Sequence, residues 1–510
     1  MLGCASTAAI LGIETYLVNV EADCNTGMPS FEMVGYLGSE VKEAKERIRT
    51  ALRNSGFKLP TKKFVINLSP GDLRKSGVGF DLAIAMAILV SIGEIEQERI
   101  NNIFFVGEIG LNGLLNKTNG ILAVVDFAAK LGFEFCMIPK ETVNEAIVVE
   151  GIKILGISSL AEAVECIKGN RKYNVFCDKK EFINESKNVD FAEVRGQLLA
   201  RRAAEIAAAG FHNMIMIGPP GSGKSMIAKR LPSIMPPISK SESIEVSKIH
   251  SICGLLSEGT ALMKERPFRS PHHNISLTAM TGGGMYPRPG EITLANRGVL
   301  FLDELTEFRR EVLETMRQPL EDGYINIVRQ RGTYCFPSKI LFIGALNPCL
   351  CGYYPDRKRC NCNEAQVRKH LSKISRPIID RMDICIELLD VDYNTLIDKC
   401  MSESSEQIRK RVNAACDIQA ERYKDMNIKF NAELSHIQVE KICSLEKEGE
   451  DFLKQIFASN SFSARAYHKI LKLSRTIADL DGTEQISVKH LSEAVCYRNV
   501  DKKYWGYENV

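Results

Sequence analysis

Gly218, Pro219, Pro220, Gly221, Ser222, Gly223, Lys224 and Ser225 form the run G-P-P-G-S-G-K-S. An apolar strand-like segment, Met214 to Gly218, leads into it, and a helical pattern follows. That is the setting a phosphate-binding loop requires. Glycines there let backbone N–H groups turn inward onto phosphate oxygens. Lys224 would reach the β- and γ-phosphates, and Ser225 would bind Mg²⁺. The bland alternative is a glycine-rich turn without a ligand.

Val299 to Leu302 is a second apolar run, and it ends in the acid pair Asp303 and Glu304. Carboxylates at the C-terminal edge of a strand sit where α/β sheets place ligands. Asp303 would hold Mg²⁺ through water, and Glu304 would polarise an attacking water. Acid pairs after apolar runs also occur as plain solvated strand ends. A third run, Ile340 to Leu346, ends at Asn347. Its amide could orient the lytic water, although Asn before Pro348 also starts turns.

Cys349, Cys351, Cys360 and Cys362 follow at once as C-x-C-x₈-C-x-C. Two close thiol pairs across a short loop could close a tetrahedral Zn²⁺ site. The usual pair spacing is C-x₂-C, so four ordinary thiols remain the alternative. His370 is a substitute ligand. His272 and His273 read as loop residues with no metal role.

These residues need a scaffold. Short, continuously apolar runs such as 214–218, 299–302 and 340–344 suit a parallel sheet covered on both faces. Residues 394–500 read instead as amphipathic helices. Before residue 170, strand-like Phe64–Leu68 and Ile103–Gly107 alternate with helical 40–55 and 80–92. Residues 169–189 are rich in Lys, Asn, Asp and Glu, which is the composition of a linker. The expected class is α/β. Its parts are an N-terminal α+β domain (1–170), a linker (171–189), a parallel-sheet αβα core (190–390) and an all-α lid (391–510).

The chain has 510 residues, with 66 Lys and Arg against 63 Asp and Glu, a net +3. Such balance excludes a globally basic nucleic-acid binder, so any such site must be a local patch. The longest apolar stretch, Leu82 to Ile92, is too short to span a bilayer. No Lys or Arg precedes the mildly apolar start, and Glu14 interrupts it, so no secretory signal is expected. The expected location is the cytoplasm, where the 16 cysteines would be mostly reduced.

The ordered motifs resemble AAA+ ATPases, and more closely the magnesium-chelatase-like YifB/ComM family. Val194 to Gln197 resembles the adenine-side box. Arg266 to His273 and Pro289 to Ala295 are similar to segments typical of that group. Ile374 to Asp383 looks like its arginine-finger region, and Ser463 to Arg465 heads a helix similar to the second sensor motif. The resemblance implies a ring, a hexamer, with ATP and Mg²⁺ between neighbours. Gln197 would then face the adenine. Arg381 would reach a neighbour's γ-phosphate, with Arg376 a weaker candidate, and Arg465 would act in the same or the next subunit. For Arg381 the alternative is an ion pair with Asp380 or Asp383.

Residues 1–170 resemble the Lon protease domain through Gly107 to Gly113, Leu131 to Phe133 and Pro139. Lon proteases use a Ser nucleophile and a Lys base. Here Gly79 stands at the Ser position and Leu122 at the Lys position. Ser76 and Lys117 are nearby but out of register. A structural or substrate-docking role is expected in place of proteolysis.

Glu321 to Phe336 reads as two alternating strands joined near Arg329 and Arg331, a hairpin with a basic tip. In related rings a hairpin here points into the pore, where Arg329 and Arg331 would suit a nucleic-acid backbone. A solvated charged turn is the alternative. The resemblance implies a DNA translocase or branch-migration helicase acting in recombination or natural transformation. A motor for metal insertion and an ATP-dependent protease are the competing classes.

Overall fold

The computed structural model describes residues 2–77, 79–172, 175–176, 189–256, 262–329, 332–390, 403–460 and 463–505. The chain forms two units. One contains Met1–Glu185, Lys240–Met263 and Met285–Pro289; the other contains Ser186–Ser239, Lys264–Gly284 and Gly290–Val510. Most of the linker reading, 177–188, and the start of the lid, 391–402, lie outside the described residues.

In the first unit, eight strands make one mixed sheet. They are β1 (Leu2–Leu11), β2 (Glu14–Asn25), β3 (Ser30–Val34), β4 (Lys63–Ser69), β5 (Ile103–Phe105), β6 (Phe135–Pro139), β7 (Lys153–Ile157) and β8 (Val175–Phe176). Their order is β8-β7-β6-β5-β1-β2-β4-β3. β1 alternates buried Ala5, Thr7 and Ala9 with half-buried neighbours, as a strand covered fully on one face does. The apolar stretch noted above is the helix Asp81–Ser91, buried along its whole length. It is a core helix. Among the described residues, no helix is long and apolar enough to cross a membrane.

The helix Lys240–Ile252 follows the phosphate loop in sequence but belongs to this first unit. Its Lys248 pairs with Asp126, and Ser251 donates to Glu145. Its Ser251 carbonyl accepts the Gly120 N–H at 3.1 Å.

The second unit is built on a five-stranded parallel sheet. Its strands are β9 (Met214–Ile217), β10 (Phe268–Arg269), β11 (Val299–Leu302), β12 and β13 (a separate hairpin, Tyr324–Arg329 and Gly332–Pro337), β14 (Leu341–Leu346) and β15 (Ile384–Glu387). The sheet order is β10-β11-β14-β9-β15. β9, β11 and β14 are buried at every residue, which explains their unbroken apolar sequences. Ile217 of β9 pairs with Leu346 of β14, and Leu302 of β11 with Gly344 of β14. The segments leaving these three strands therefore emerge at one edge.

Helices Ser405–Arg422, Ala464–Leu480 and Val488–Trp505 share the sheet's hydrophobic core through Ile408, Ile470, Ile477 and Leu491. Ser404, Ser435 and Ser463 each accept a first-turn N–H at a helix start, so these starts follow directly from sequence. Asn213 ties three strands. Its N–H donates to Asp383 at 3.0 Å, its side-chain oxygen accepts from Phe342, and its carbonyl accepts from Ile384.

Candidate nucleotide site

The shared C-terminal edge of β9, β11 and β14 carries the phosphate loop, the acid pair and Asn347. Lys224 is 8% exposed. Its Nζ donates to the carbonyls of Gly218 and Pro219 at 2.8 Å each and to Asn347 Oδ1 at 3.2 Å. All three acceptors are neutral. Burial pushes the ammonium down to about 8, and only the more distant Asp303 works against this. A buried cation among neutral oxygens fits an anionic ligand. Gly221 (φ 81°) and Gly223 (φ 91°) adopt left-handed backbone, and a Cβ at either would meet nothing within 4 Å. This open cradle fits phosphate oxygens.

Ser225 Oγ donates to Asp303 Oδ2 at 2.6 Å. A hydroxyl and a carboxylate so placed are the oxygen donors Mg²⁺ takes beside phosphates. Asp303 Oδ1 accepts the N–H of Glu304 at 2.9 Å. Glu304 has φ 50°, and so does Gln197. Non-glycine residues held at positive φ cluster at functional sites. Gln197 Nε2 donates to the carbonyls of Ser222 at 3.2 Å and Leu389 at 2.6 Å, so it braces the phosphate loop.

Two histidines join this site in roles other than those the sequence suggested, a metal ligand for His370 and a plain loop residue for His273. His273 Nδ1 lies 3.7 Å from Glu304 Oε2, with the His272 ring 4.0 Å from its own. His370 Nε2 bonds the carbonyl of Asn347 at 3.1 Å. A His eight positions past a cysteine run reads as a ligand candidate, yet this ring serves Asn347.

Arg381 and Arg465 make no bond to the phosphate loop among the described residues. Both pair with Glu321, Arg465 at 3.3 Å. Asp383, considered above as the partner of Arg381, instead holds Lys469 at 2.8 Å and faces His212 at 3.6 Å. Despite burial, Lys469 and His212 keep its carboxyl far below the usual range.

The four cysteines converge. Their Sγ atoms all lie within 4.8 Å of one another. Cys349, Cys360 and Cys362 are buried. The backbone N–H of Tyr353 draws the Cys351 thiol down, whereas burial pushes that of Cys360 up.

Of the basic hairpin, Arg329 is described: its Nε donates to the Gly284 carbonyl at 3.3 Å. Arg329 pairs with Gly332 across the turn. Arg331 lies outside the described residues. At the Lon-like positions, Leu122 is fully buried, and a Cβ on Gly79 would touch Val106 at 3.6 Å. Lys75 is fully buried with its Nζ on the Pro70 carbonyl.

A parallel sheet with a phosphate loop, an acid pair and a polar strand end at one edge, joined to a helical C-terminus, defines an AAA+-like fold. Family models agree. Residues 190–396 match the model described as magnesium chelatase, subunit ChlI, residues 20–142 match subunit ChlI of Mg-chelatase, and residues 402–498 match its C-terminal model. The sequence is 39% identical over 496 residues to competence protein ComM of Haemophilus influenzae, covering 96% of each chain. It is 36% identical over 504 residues to the uncharacterized protein YifB of Escherichia coli, covering 98% of each. A 153-residue stretch is 28% identical to Lon protease 2 of Bacillus subtilis, covering 28% of this chain and 27% of that one. The chain belongs to the magnesium-chelatase-like YifB/ComM family. Membership implies ATP and Mg²⁺ as ligands.

Proposed function

We propose that this chain is an ATP-hydrolysing ring motor, a hexamer acting in the cytoplasm, that moves along DNA in recombination or natural transformation. Bound ATP with Mg²⁺ would supply the phosphoanhydride bond whose hydrolysis drives the motion. Lys224 would neutralise the β- and γ-phosphates, and Ser225 and Asp303 would hold Mg²⁺. Glu304 Oε2 would take a proton from the attacking water, and Asn347 would orient that water. Arg381 would enter the neighbouring subunit's site, where a trans arginine contributes roughly 10³–10⁵ in rate. Arg465 would sense the nucleotide. The four cysteines would hold one Zn²⁺.

The observation that carries the ATPase reading is the buried Lys224 ammonium among neutral oxygens beside the Ser225–Asp303 pair. DNA as the track rests on the basic hairpin around Arg329 and on likeness to a protein named for competence. The family models' chelatase descriptions support metal insertion as a second reading. Proteolysis has less support. The dyad positions hold Gly79 and Leu122, although a partial likeness to a Lon protease remains.

ATPase assays with single-stranded DNA, branched DNA or no DNA test this. Stimulation by DNA is expected. Stimulation only by a partner chelatase subunit would favour metal insertion, and ATP-dependent peptide cleavage would favour a protease.

A further inference from the structure

The cysteine cluster is tied to the nucleotide site by three contacts within the second unit. Cys349 lies two positions after Asn347, whose Oδ1 accepts from Lys224 at 3.2 Å. Gly352, inside the cysteine loop, lies against the phosphate loop: a Cβ there would stand 2.5 Å from Pro220 Cδ. Past Cys362, the helix Glu364–Leu371 carries His370, which returns to bond the Asn347 carbonyl at 3.1 Å. The thiols thus pin both ends of a loop whose first turn, at Gly352, touches the phosphate loop and which begins two residues after Asn347, the residue that holds Lys224.

The sulfur geometry fits a thiophilic tetrahedral ion. Cys349 Sγ lies 3.3 Å from that of Cys351 and 3.7 Å from that of Cys360, and Cys351 and Cys360 are 3.5 Å apart. A zinc–sulfur bond of about 2.3 Å in a tetrahedron gives sulfur–sulfur edges of about 3.8 Å. Secondary contacts also set the loop: the Tyr354 N–H donates to Cys349 Sγ at 3.4 Å, and Arg357 donates to the Cys362 carbonyl at 2.8 Å.

We infer that Zn²⁺ in this cluster is a brace for the ATP site, holding Asn347 on Lys224 and the Gly352 backbone against Pro220. The inference rests on the reading of this site as an ATP site. Zn²⁺ replaces the thiol protons, which pass to solvent. With the ion removed, nothing covalent fixes the loop, and nucleotide binding weakens while the sheet beneath persists.

The test measures zinc by elemental analysis and binding of a fluorescent ATP analogue with Mg²⁺, on the full chain. Wild type should carry about one zinc per chain and bind the analogue. Cys360→Ser should lose the zinc and bind the analogue at least about tenfold more weakly, a loss of about 1.4 kcal/mol. Gly352→Ala keeps every thiol but pushes the loop off Pro220, so it should retain zinc yet also bind more weakly. If Cys360→Ser fails to fold, Gly352→Ala decides. Wild type made with zinc present and carrying none would overturn the metal assignment and the brace together. Full zinc with unchanged nucleotide affinity in Gly352→Ala would overturn the brace alone. A zinc-loaded wild type that binds no nucleotide would overturn the ATP-site reading itself.

Discussion

Arg381 and Arg465 share one carboxylate, that of Glu321. The two arginines come from segments far apart in sequence, and Glu321 closes the helix that precedes the basic hairpin. Arg381 also donates to the Pro377 carbonyl at 2.8 Å, and its Nε is buried without a partner among the described residues. Arg465 and Glu321 are both about half exposed, so that pair is worth only about 0–1 kcal/mol. Release of Arg465 from Glu321 therefore costs little, whereas Arg381 must leave a mostly buried position to reach a phosphate on a neighbour. Mixing Arg381→Ala subunits with Lys224→Ala subunits should restore part of the ATPase at mixed interfaces. Glu321→Gln alone should keep most of the activity. No recovery at any mixing ratio, with rings verified by sizing, would count against a trans arginine.

Glu304 offers a second test. Replacing its carboxylate by an amide removes the base and leaves the Asp303–Ser225 pair intact. Glu304→Gln should bind Mg-ATP normally and hydrolyse it about 10²–10⁴-fold more slowly, the usual contribution of a general base. His273→Ala should cost less, because the ring only faces Oε2 at 3.7 Å. Steady-state ATPase together with analogue binding separates the two effects. Hydrolysis by Glu304→Gln at the wild-type rate would remove the role assigned to it.

The parallel-sheet core was legible because β9, β11 and β14 are short apolar runs, the first running into the glycine-rich phosphate loop and the other two stopping at Asp303 and Asn347. The hairpin was legible from its alternation, although Glu321 and Asp322, read as part of its first strand, belong to the preceding helix Arg317–Asp322. Two things were not legible. The helix Lys240–Ile252 is rich in Ser, Lys and Glu, and its place beside Ile121–Lys130 depends on polar pairs such as Lys248–Asp126. No local pattern encodes such pairs. The pairing of His273 with Glu304, of His370 with Asn347 and of Glu321 with Arg381 was not legible for a related reason: long-range contacts between ordinary residues leave no spacing to read. The Arg381 alternatives, Asp380 and Asp383, were drawn from sequence neighbours, whereas the partner lies sixty positions away.

The pH dependence of nucleotide binding follows from Lys224. Burial lowers its folded value to about 8, below the unfolded value of about 10.4. The charged form is therefore disfavoured in the folded, ligand-free chain. This costs stability below about pH 8, and the cost fades as pH rises toward 10.4. A phosphate needs the ammonium, so binding above pH 8 must first take up a proton. Affinity for the fluorescent analogue with Mg²⁺ should be level from pH 7 to 8 and then fall about tenfold per unit. Affinity that stays level to pH 9.5 would show that Lys224 keeps its proton unaided.

Proteolysis should be absent. The position expected for the nucleophile is Gly79, and the position expected for the base is the buried Leu122, whose N–H is bonded to Glu145 at 3.2 Å. Lys117 is exposed, and Lys75 spends its Nζ on a backbone carbonyl. Casein digestion with ATP should match a Lys224→Ala control at every time point. ATP-dependent cleavage that survives removal of contaminating proteases would overturn this reading of the first unit.

The hairpin decides what the motor grips. Val328 is 68% exposed near the end of β12, and among the described residues Arg329 beside it bonds backbone oxygens, those of Gly284 and Val328. Its charge is therefore not neutralised by a carboxylate in these bonds and remains free to meet a phosphate. Each lost phosphate contact lowers the slope of log affinity against log salt by about one unit. Arg329→Ala with Arg331→Ala should weaken DNA binding about equally at all sequences and flatten that slope by up to about two units. ATP hydrolysis without DNA should barely change, because Arg329 makes no bond to the Lys224 site among the described residues. Titrations of wild type and the double variant at several salt concentrations provide the measurement. If the slope does not change, the hairpin is a solvated turn, and the DNA reading loses its main physical support.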